Sequence, residues 1–318
     1  MSVSDLKKKP LPKGFDSPTA LPETDSQNQE WQQANRSWWE RHPMRYDFSE
    51  GLGVEEFSPE FYQQVDERFF SDVATFMPWS KIPFDPILDF DSLATKDVLE
   101  IGVGNGSHAQ LISPYTRSYT GIDLTEYAVK STTNRLELLK RTGPKVTVQR
   151  MDAEKMEFPD NSFDFIWSWG VIHHSANTRK ILEEMHRVLR PGGKAITMVY
   201  YRNFWNYYVV SGLFRGILQG TLFKTRSLHE TRQGLIDGAI ARYYTIPEWR
   251  ALASDLFSVA DVMVCGSKSE LLPLPSGKVK SVIKSLVPDS IARFLTNKCR
   301  MGMFLVSTLN KSGPSGTS

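Results

Sequence analysis

The chain has 318 residues, 40% of them hydrophobic and 23% charged, and its formal net charge is +2 at pH 7. A chain of this length and composition buries a sizeable core, which excludes a protein that is disordered throughout. The near-neutral charge gives no strong attraction to nucleic acid. The two cysteines, Cys265 and Cys299, match no metal-ligand spacing, so the sequence favours a reducing, cytoplasmic location.

The amino-terminal third is predicted to contain a tail and a helical cap. Residues 1–28 are rich in Pro, Ser, Lys and Asp, which predicts a disordered or loosely docked tail, and residues 312–318 are predicted to form a second flexible tail. No apolar run follows the early lysines, so we expect no secretory signal peptide. Residues 29–92 are predicted to form the cap, because large apolar residues recur there at helical spacing: Phe61, Val65, Phe69, Val73 and Phe76.

From Asp97 onward, short apolar runs alternate with helical patterns, which predicts a parallel sheet covered by helices on both faces. The predicted strands are 98–101, 119–122, 146–148, 163–167, 195–199, 257–265 and 303–308. The last two strands could be antiparallel, but the sequence alone does not determine their direction. The predicted helices run from Ser107 to Ile112, from the N-cap Thr125 to near Gly143, from Thr178 to the stop at residues 191–193, and over 247–256.

A glycine-rich turn joins the first of these strands to its helix. Gly102, Gly104 and Gly106 are spaced two apart, and such a turn lets the backbone approach a ligand closely. A dinucleotide-binding turn would have glycine or alanine where this chain has Ser107. On its own the pattern is equally a tight strand-to-helix turn.

Acidic residues follow the second and third strands. Asp123 suits two hydrogen bonds from vicinal ribose hydroxyls, or alternatively a cap on the next helix. Asp152 suits a bond from an adenine amino group, with room for the ring beside Ala153, or alternatively an ordinary turn. The order of these residues along the chain favours a nucleoside-containing cofactor.

Taken in order, five motifs resemble the class I S-adenosylmethionine-dependent methyltransferases, in particular their broad small-molecule, type 11-like branch. The motifs are residues 98–106, 121–124, 151–154, 163–167 and 187–193. The resemblance covers about residues 95–200. It implies a Rossmann-like, doubly wound α/β fold with a seven-stranded sheet and a reversed last strand, spanning residues 93–311. It also implies an amino-terminal helical extension, and a helical lid inserted after the fifth strand at about 201–245.

The same resemblance implies S-adenosyl-L-methionine as cofactor at the carboxyl edge of the first strands. Its methionine part would lie against the loop residues Glu100, Gly102, Val103, Gly104, Asn105 and Gly106. Its ribose and adenine would be held by Asp123, Leu124, Asp152 and Ala153. Trp169 and Gly170 would form the floor near the sulfonium. Arg45 and Tyr46 would cover the cofactor, with Arg45 pairing with the cofactor carboxylate. For Arg45 and Tyr46, packing of a helix on the sheet edge is an equal alternative.

The methyl acceptor is expected beside the loop that follows the fourth strand. His173 and His174 lie there, and a histidine in this loop could deprotonate a hydroxyl or amine, although a structural role is the preferred reading. Positioning of the two reactants could then supply much of the catalysis. The acceptor pocket is expected from the aromatic residues Trp38, Trp205, Tyr207, Tyr208, Tyr243 and Tyr244. The last five of these could equally form a small core of the lid, or a contact in a homodimer. For Trp38, packing of a helix on the sheet edge is an equal alternative.

Several absent patterns narrow the function further. No Asn/Asp-Pro-Pro-Tyr/Phe motif follows the fourth strand and no Pro-Cys pair occurs, so a nucleic acid substrate is not expected, and no carboxylate cluster indicates a metal. The apolar stretch 204–223 is interrupted by Arg215 and Gln219, which predicts no stable membrane insertion. The leading hypothesis is a methyltransferase acting on oxygen, nitrogen or carbon of a small apolar or amphipathic metabolite. A non-catalytic binder of the cofactor and an NAD-dependent oxidoreductase are the alternatives.

Overall fold

A mixed sheet of eight strands forms the centre of the computed structural model, which describes residues 11–46, 53–274 and 277–313. The strands are β1 (Asp97–Ile101), β2 (Ser118–Asp123), β3 (Val146–Arg150), β4 (Phe163–Trp169), β5 (Leu189–Tyr201), β6 (Tyr243–Tyr244), β7 (Ser258–Cys265) and β8 (Phe304–Asn310). Their order across the sheet is β3-β2-β1-β4-β5-β8-β7, and the two-residue β6 pairs with the end of β5.

The strand directions confirm the Rossmann-like prediction. Strands β1 to β5 are parallel to one another, whereas β8 is antiparallel to both β5 and β7. The reversed strand is therefore β8, and the short β6 is an addition to the seven predicted strands. Because the parallel strands share one direction, the carboxyl ends of β1, β2, β3 and β4 lie along one edge, where ligands of open α/β sheets bind.

The helices of the described residues cover both faces of this sheet. They are α1 (Asp25–Arg41), α2 (Pro59–Phe76), α3 (Ser107–Ile112), α4 (Glu126–Leu138), α5 (Thr178–Val188), α6 (Thr221–Thr225), α7 (Leu228–Gln233), α8 (Ile246–Ala253), α9 (Lys278–Leu286) and α10 (Asp289–Arg293), with π-helices at Phe204–Leu218 and Phe294–Lys298. None of the helices described is long and apolar enough to cross a membrane. The predicted N-cap is confirmed, since the Thr125 hydroxyl accepts from the Ala128 N–H at 3.3 Å.

Apolar stripes on the helices explain their packing. Helix α5 buries Ile181, Leu182, Met185 and Val188 against one face of the sheet, together with α8. Helix α2 buries the predicted stripe, with Phe69, Val73 and Phe76 on the opposite face. Both stripes follow the period of 3.6 residues, which is why they could be predicted from the sequence.

Residues 191–193 lie inside β5 and not before it, contrary to the prediction. Helix α5 still ends at Val188, but the strand begins at Leu189 and pairs with Phe163 before a register shift. Gly192 adopts a φ of 77°, and its N–H donates to the Lys311 carbonyl at 3.1 Å. An irregularity of this kind lets Pro191 sit within a strand, because the ladder is locally interrupted.

The amino-terminal segment is also more ordered than expected. Residues 1–10 of the predicted tail lie outside the described residues, but residues 11–24 pack against the domain and α1 begins at Asp25. Phe15 is buried and meets Trp31 edge-on with ring centroids 5.3 Å apart. The Tyr243 N–H donates to the Pro18 carbonyl at 2.9 Å. One buried aromatic ring thus anchors a segment whose composition is otherwise that of a tail.

Candidate functional site

The glycine loop between β1 and α3 forms an open cradle. Gly102, Gly104 and Gly106 have φ values of 83°, 53° and 76°, a region that favours glycine. A Cβ on Gly102 would lie 2.2 Å from Cγ2 of Val171, so this glycine is required by close packing. A Cβ on Gly104 would meet no heavy atom within 4 Å. The middle of the loop therefore offers bare backbone to a ligand, and a side chain there would fill the cradle.

Asp123 connects the end of β2 to this cradle. Its Oδ2 accepts from the Gly104 N–H at 3.3 Å, and its Oδ1 accepts from the Thr125 N–H and hydroxyl at 3.0 and 2.8 Å. Burial raises the pKa of Asp123, yet the side chain keeps accessible surface. A carboxylate held by three donors beside an open loop is positioned to accept further hydrogen bonds from a polar ligand. Leu124, the next residue, is half-buried.

Helix α1 covers the end of β3. The side chain of Gln32 donates to Oδ1 of Asp152 at 2.8 Å, and its carbonyl accepts from the Ala176 N–H at 3.0 Å. Asn28 donates to Glu154 at 2.9 Å. These contacts were not predicted, since neither amide belongs to a local motif. They place α1 over the half-buried Ala153 and the adenine-side residues expected from the sequence.

The chain that follows α1 forms the rest of the cover. The Asn105 side chain donates to the Met44 carbonyl at 2.7 Å and accepts from the Ser131 hydroxyl at 2.7 Å, which ties the cover to the glycine loop. Tyr46 stacks on Phe69 with centroids 5.0 Å apart. Arg45 forms an ion pair with Glu56 at 3.2 Å. A bond from Arg45 to a cofactor carboxylate would compete with that pair.

Glu100 lies under the loop and not in the cradle. The Tyr119 hydroxyl donates to its Oε2 at 2.7 Å, and burial raises the pKa of Glu100 to about 8. The side chain is therefore protonated at pH 7. Val103 is buried as well, and its side chain would contact a Cβ placed on Gly121. Both residues support the loop from below.

At the end of β4, the indole of Trp169 joins the core under α2. It stacks on Trp167 with centroids 5.6 Å apart and meets Phe84 edge-on at 4.8 Å. Gly170 follows with a φ of 76°, and a Cβ there would lie 3.3 Å from Cε of Met198. The backbone of these two residues ends the strand beside the cradle, while the aromatic ring belongs to the packing.

The two histidines of the next loop have different surroundings. Nδ1 of His174 lies 2.8 Å from the Ile240 carbonyl, and a carbonyl only accepts, so this nitrogen carries the proton. His173 is fully buried, with its ring 4.0 Å from that of Tyr200. Neither ring nitrogen of His173 has a hydrogen-bond partner among the described residues. Burial lowers the pKa of His173 well below its ordinary value, which keeps it neutral at pH 7.

An aromatic cluster lies beside His173. Tyr200 stacks on Tyr243 with centroids 5.3 Å apart, and Tyr207 packs on Tyr243 at 5.4 Å. The Tyr243 hydroxyl accepts from Nε of Arg232 at 2.9 Å. Tyr200 was missed in the sequence because the predicted fifth strand ended one residue before it.

The other predicted pocket residues lie elsewhere. Tyr244 packs on Trp249 in the main core, with centroids 5.3 Å apart. Tyr208 is 47% exposed. Trp38 packs against His42 at 4.5 Å, and Trp205 is half-buried in the π-helix. Of the six predicted residues, the structure brings Tyr207 and Tyr243 together beside the histidine loop.

Arg242 joins the histidine loop to the amino-terminal segment. Its guanidinium is buried and donates to the carbonyl of Ala20 at 2.7 Å and to that of Ala176 at 2.5 Å. It also donates to the carbonyl of Ser175. Its own N–H donates to the His173 carbonyl at 2.9 Å. One side chain therefore fixes three parts of the chain around the site, a role without a local sequence signal.

Residues 99–197 match a protein-family model described as a methyltransferase domain. The chain is 34% identical over 104 residues to the uncharacterized methyltransferase YcgJ of Bacillus subtilis, covering 33% of this chain and 40% of that protein. It is 37% identical over 103 residues to a phthiotriol/phenolphthiotriol dimycocerosates methyltransferase of Mycobacterium tuberculosis, covering 32% of this chain and 36% of that protein. The match thus spans less than half the length of these relatives. Among solved structures, the YcgJ protein aligns with a TM-score of 0.46 and 21% identity over 69% of this chain and 93% of its own.

Proposed function

We propose that this chain, whose core domain belongs to the class I S-adenosylmethionine-dependent methyltransferase family, transfers a methyl group to a small apolar or amphipathic acceptor. The acceptor atom would be oxygen, nitrogen or carbon. The transfer would be an in-line displacement, and it would leave S-adenosylhomocysteine as the product. The observation that carries this proposal is the bond between Asp123 and the N–H of Gly104. It places a carboxylate and an unobstructed stretch of backbone side by side at the carboxyl ends of β1 and β2.

The residues present fit the cofactor. A Cβ would fill the cradle at Gly104, so bare backbone is available to the methionine part. Asp123 would accept from the ribose hydroxyls, and Asp152 from the adenine amino group. When bound, S-adenosyl-L-methionine supplies an electrophilic methyl group on a sulfonium. Helix α1 would exclude water from the cleft, since Gln32 and Asn28 fasten it across the ends of β3 and β4.

The aromatic cluster supports an acceptor with apolar character. Tyr200, Tyr207 and Tyr243 pack together beside the histidine loop, with Tyr200 half-buried next to the buried Tyr207 and Tyr243, and burial raises the pKa of all three hydroxyls. The rings therefore stay neutral at pH 7. An uncharged aromatic cluster beside the cleft favours a ligand that buries apolar surface.

We assign positioning, and not proton abstraction, to the two histidines. His174 is held by the Ile240 carbonyl, which fixes its ring orientation. His173 has a strongly lowered pKa, and a base with so low a pKa has little driving force to take a proton near pH 7. Holding the acceptor in line with the methyl group within a dry cleft then supplies most of the catalysis.

Calorimetric titration with S-adenosylmethionine, S-adenosylhomocysteine and NAD tests the cofactor assignment. We expect binding of the first two and none of NAD, whereas binding of NAD alone would refute the proposal in favour of an oxidoreductase. Transfer of a radiolabelled methyl group to extracted metabolites tests catalysis. A labelled small molecule is the expected result, and a blank across extracts of several polarities would favour a binding protein.

A further inference from the structure

Helix α9 turns the apolar side of an amphipathic helix toward solvent. Val279, Val282, Ile283 and Leu286 recur at intervals of three and four residues, so they form one stripe along the helix. Val279, Val282 and Leu286 are 69%, 58% and 75% exposed. No residue of α9 is buried. A surface helix ordinarily packs its apolar stripe on the core, so an uncovered stripe indicates a binding surface.

Basic residues surround this stripe. Residues 278–300 contain six lysines and arginines and a single acidic residue, Asp289. The carboxylate of Asp289 is already paired with Lys268, and this pairing lowers the pKa of Asp289. Lys278 precedes the stripe, and Lys298 is exposed beyond it. The surface therefore combines exposed apolar side chains with an excess of basic over acidic residues.

The neighbouring elements extend the same character. Ile291 of α10 and Phe294 of the second π-helix are more than half exposed. The turn Lys268–Leu271 contacts α9 and also the first π-helix, Phe204–Leu218. Residues 203–229 around that π-helix contain three basic residues and no acidic residue. Two apolar, basic segments thus adjoin one turn.

We propose that α9 and its flanking residues bind the surface of an anionic lipid bilayer. The apolar stripe would enter the headgroup region, and the lysines would contact anionic headgroups. A nine-residue helix lies on a bilayer and does not cross it. A second copy of the chain is the less suitable occupant, because it would bring one basic segment against another. The proposal concerns location and does not depend on the methyl acceptor.

Flotation of the full chain with vesicles tests the proposal. The vesicles contain phosphatidylcholine alone or phosphatidylcholine with phosphatidylserine. We expect binding to the anionic vesicles that declines as salt screens the charges. The V282D/L286D variant should bind at least about tenfold less, since two stripe residues can no longer enter the headgroup region. Each lysine removed in the K278Q/K298Q variant should lower the partition coefficient about fivefold.

The control is the L138D/L139D variant, which places the same charges on two exposed leucines at the end of α4 and should bind like the unmodified chain. Absence of binding to anionic vesicles, or full binding by V282D/L286D, would overturn the proposal. So would a dimer, measured by light scattering, that V282D/L286D abolishes, because the surface would then contact a second copy. If V282D/L286D fails to fold by circular dichroism, the lysine variant and the salt series decide the question.

Discussion

The side-chain amide of Gln32 bridges two elements, since it donates to Asp152 after β3 and accepts from the N–H of Ala176 in the loop after β4. Together with Asn28, which donates to Glu154, Gln32 thereby fastens helix α1 over the cleft. Substitution Q32A removes both bonds, one of them to a charged group, at a cost of about 2 kcal/mol. We expect amide hydrogen exchange across α1 to accelerate about 30-fold, measured by mass spectrometry on the chain without cofactor.

The adjacent Gln33 gives a matched control. Among the described residues its side chain bonds only to Ser37 on its own helix, and it is exposed, so Q33A should leave exchange in α1 nearly unchanged. Equal acceleration in both variants would mean that helix propensity, and not fastening to Asp152, controls the opening of α1.

Asp123 should be the largest single contributor to cofactor affinity. Substitution D123A removes a carboxylate positioned for charge-assisted bonds to the ribose, worth on the order of 2 kcal/mol. We expect the dissociation constant for S-adenosylhomocysteine to rise about 30-fold by calorimetry. Asp160, exposed before β4 and paired with Arg187, gives the control D160A. Unchanged affinity in D123A would contradict the assigned ribose site.

A side chain on Gly104 should block the cradle without a clash in the free protein. In G104A the added Cβ meets no protein atom within 4 Å. The alanine must, however, adopt the φ of 53° that Gly104 has, which costs about 1 kcal/mol. The matched substitution is G192A, with a φ of 77° and equally open surroundings, far from the cradle. Both variants should lose similar stability in urea, and only G104A should lose cofactor affinity. Equal affinity in both would place the cofactor elsewhere.

Turnover of the histidine variants separates positioning from base catalysis. We expect H173Q to retain turnover within about tenfold with an unchanged pH profile, because general base catalysis contributes about 100-fold or more where it operates. H174A should lose part of its stability, since its ring no longer bonds to the Ile240 carbonyl. A fall in kcat of about 1,000-fold in H173Q, with intact affinity for S-adenosylhomocysteine, would establish His173 as a base.

The buried carboxyl of Glu100 should make stability depend on pH. Its pKa is about 8 in the folded chain, against 4.5 as the ordinary value. Because the folded pKa is raised, the contribution of Glu100 is complete below pH 4.5 and is lost as the pH rises to 8. In E100Q this slope of about 1.4 kcal/mol per pH unit disappears. Urea unfolding should therefore show that the free energy of unfolding of E100Q rises relative to that of the unmodified chain between pH 5 and pH 8. The control E137Q, at an exposed position on α4, should show the same pH dependence as the unmodified chain.

The predicted elements that proved correct depend on local patterns. The spacing of apolar residues placed α2 and α5, and the hydroxyl of Thr125 marked the start of α4. The positions of Asp123 and Gly104 follow from strand ends and turn chemistry, which are also local. Such signals act within a few residues and can be read from one sequence.

The incorrect or missed residues depend on contacts between distant parts of the chain. Gln32 and Asp152 are 120 residues apart, and an amide on a helix has no signature of its partner. Tyr243 and Tyr244 looked equivalent in sequence, but successive side chains of a strand point to opposite faces. Tyr243 therefore joins the aromatic cluster while Tyr244 enters the core under α8. The same alternation puts the Trp169 ring beside Trp167.

The three carbonyls held by Arg242 also constrain the order in which the site can assemble during synthesis. Strands β1 to β5 end at Tyr201 and can pair while the rest of the chain is still on the ribosome. The carbonyls of Ala20, Ser175 and Ala176 remain without their hydrogen-bond donor until Arg242, about forty residues after the end of β5, has been synthesised. A nascent chain with a paired sheet thus has an unfinished cleft, and only translation past residue 242 supplies the group that joins its walls.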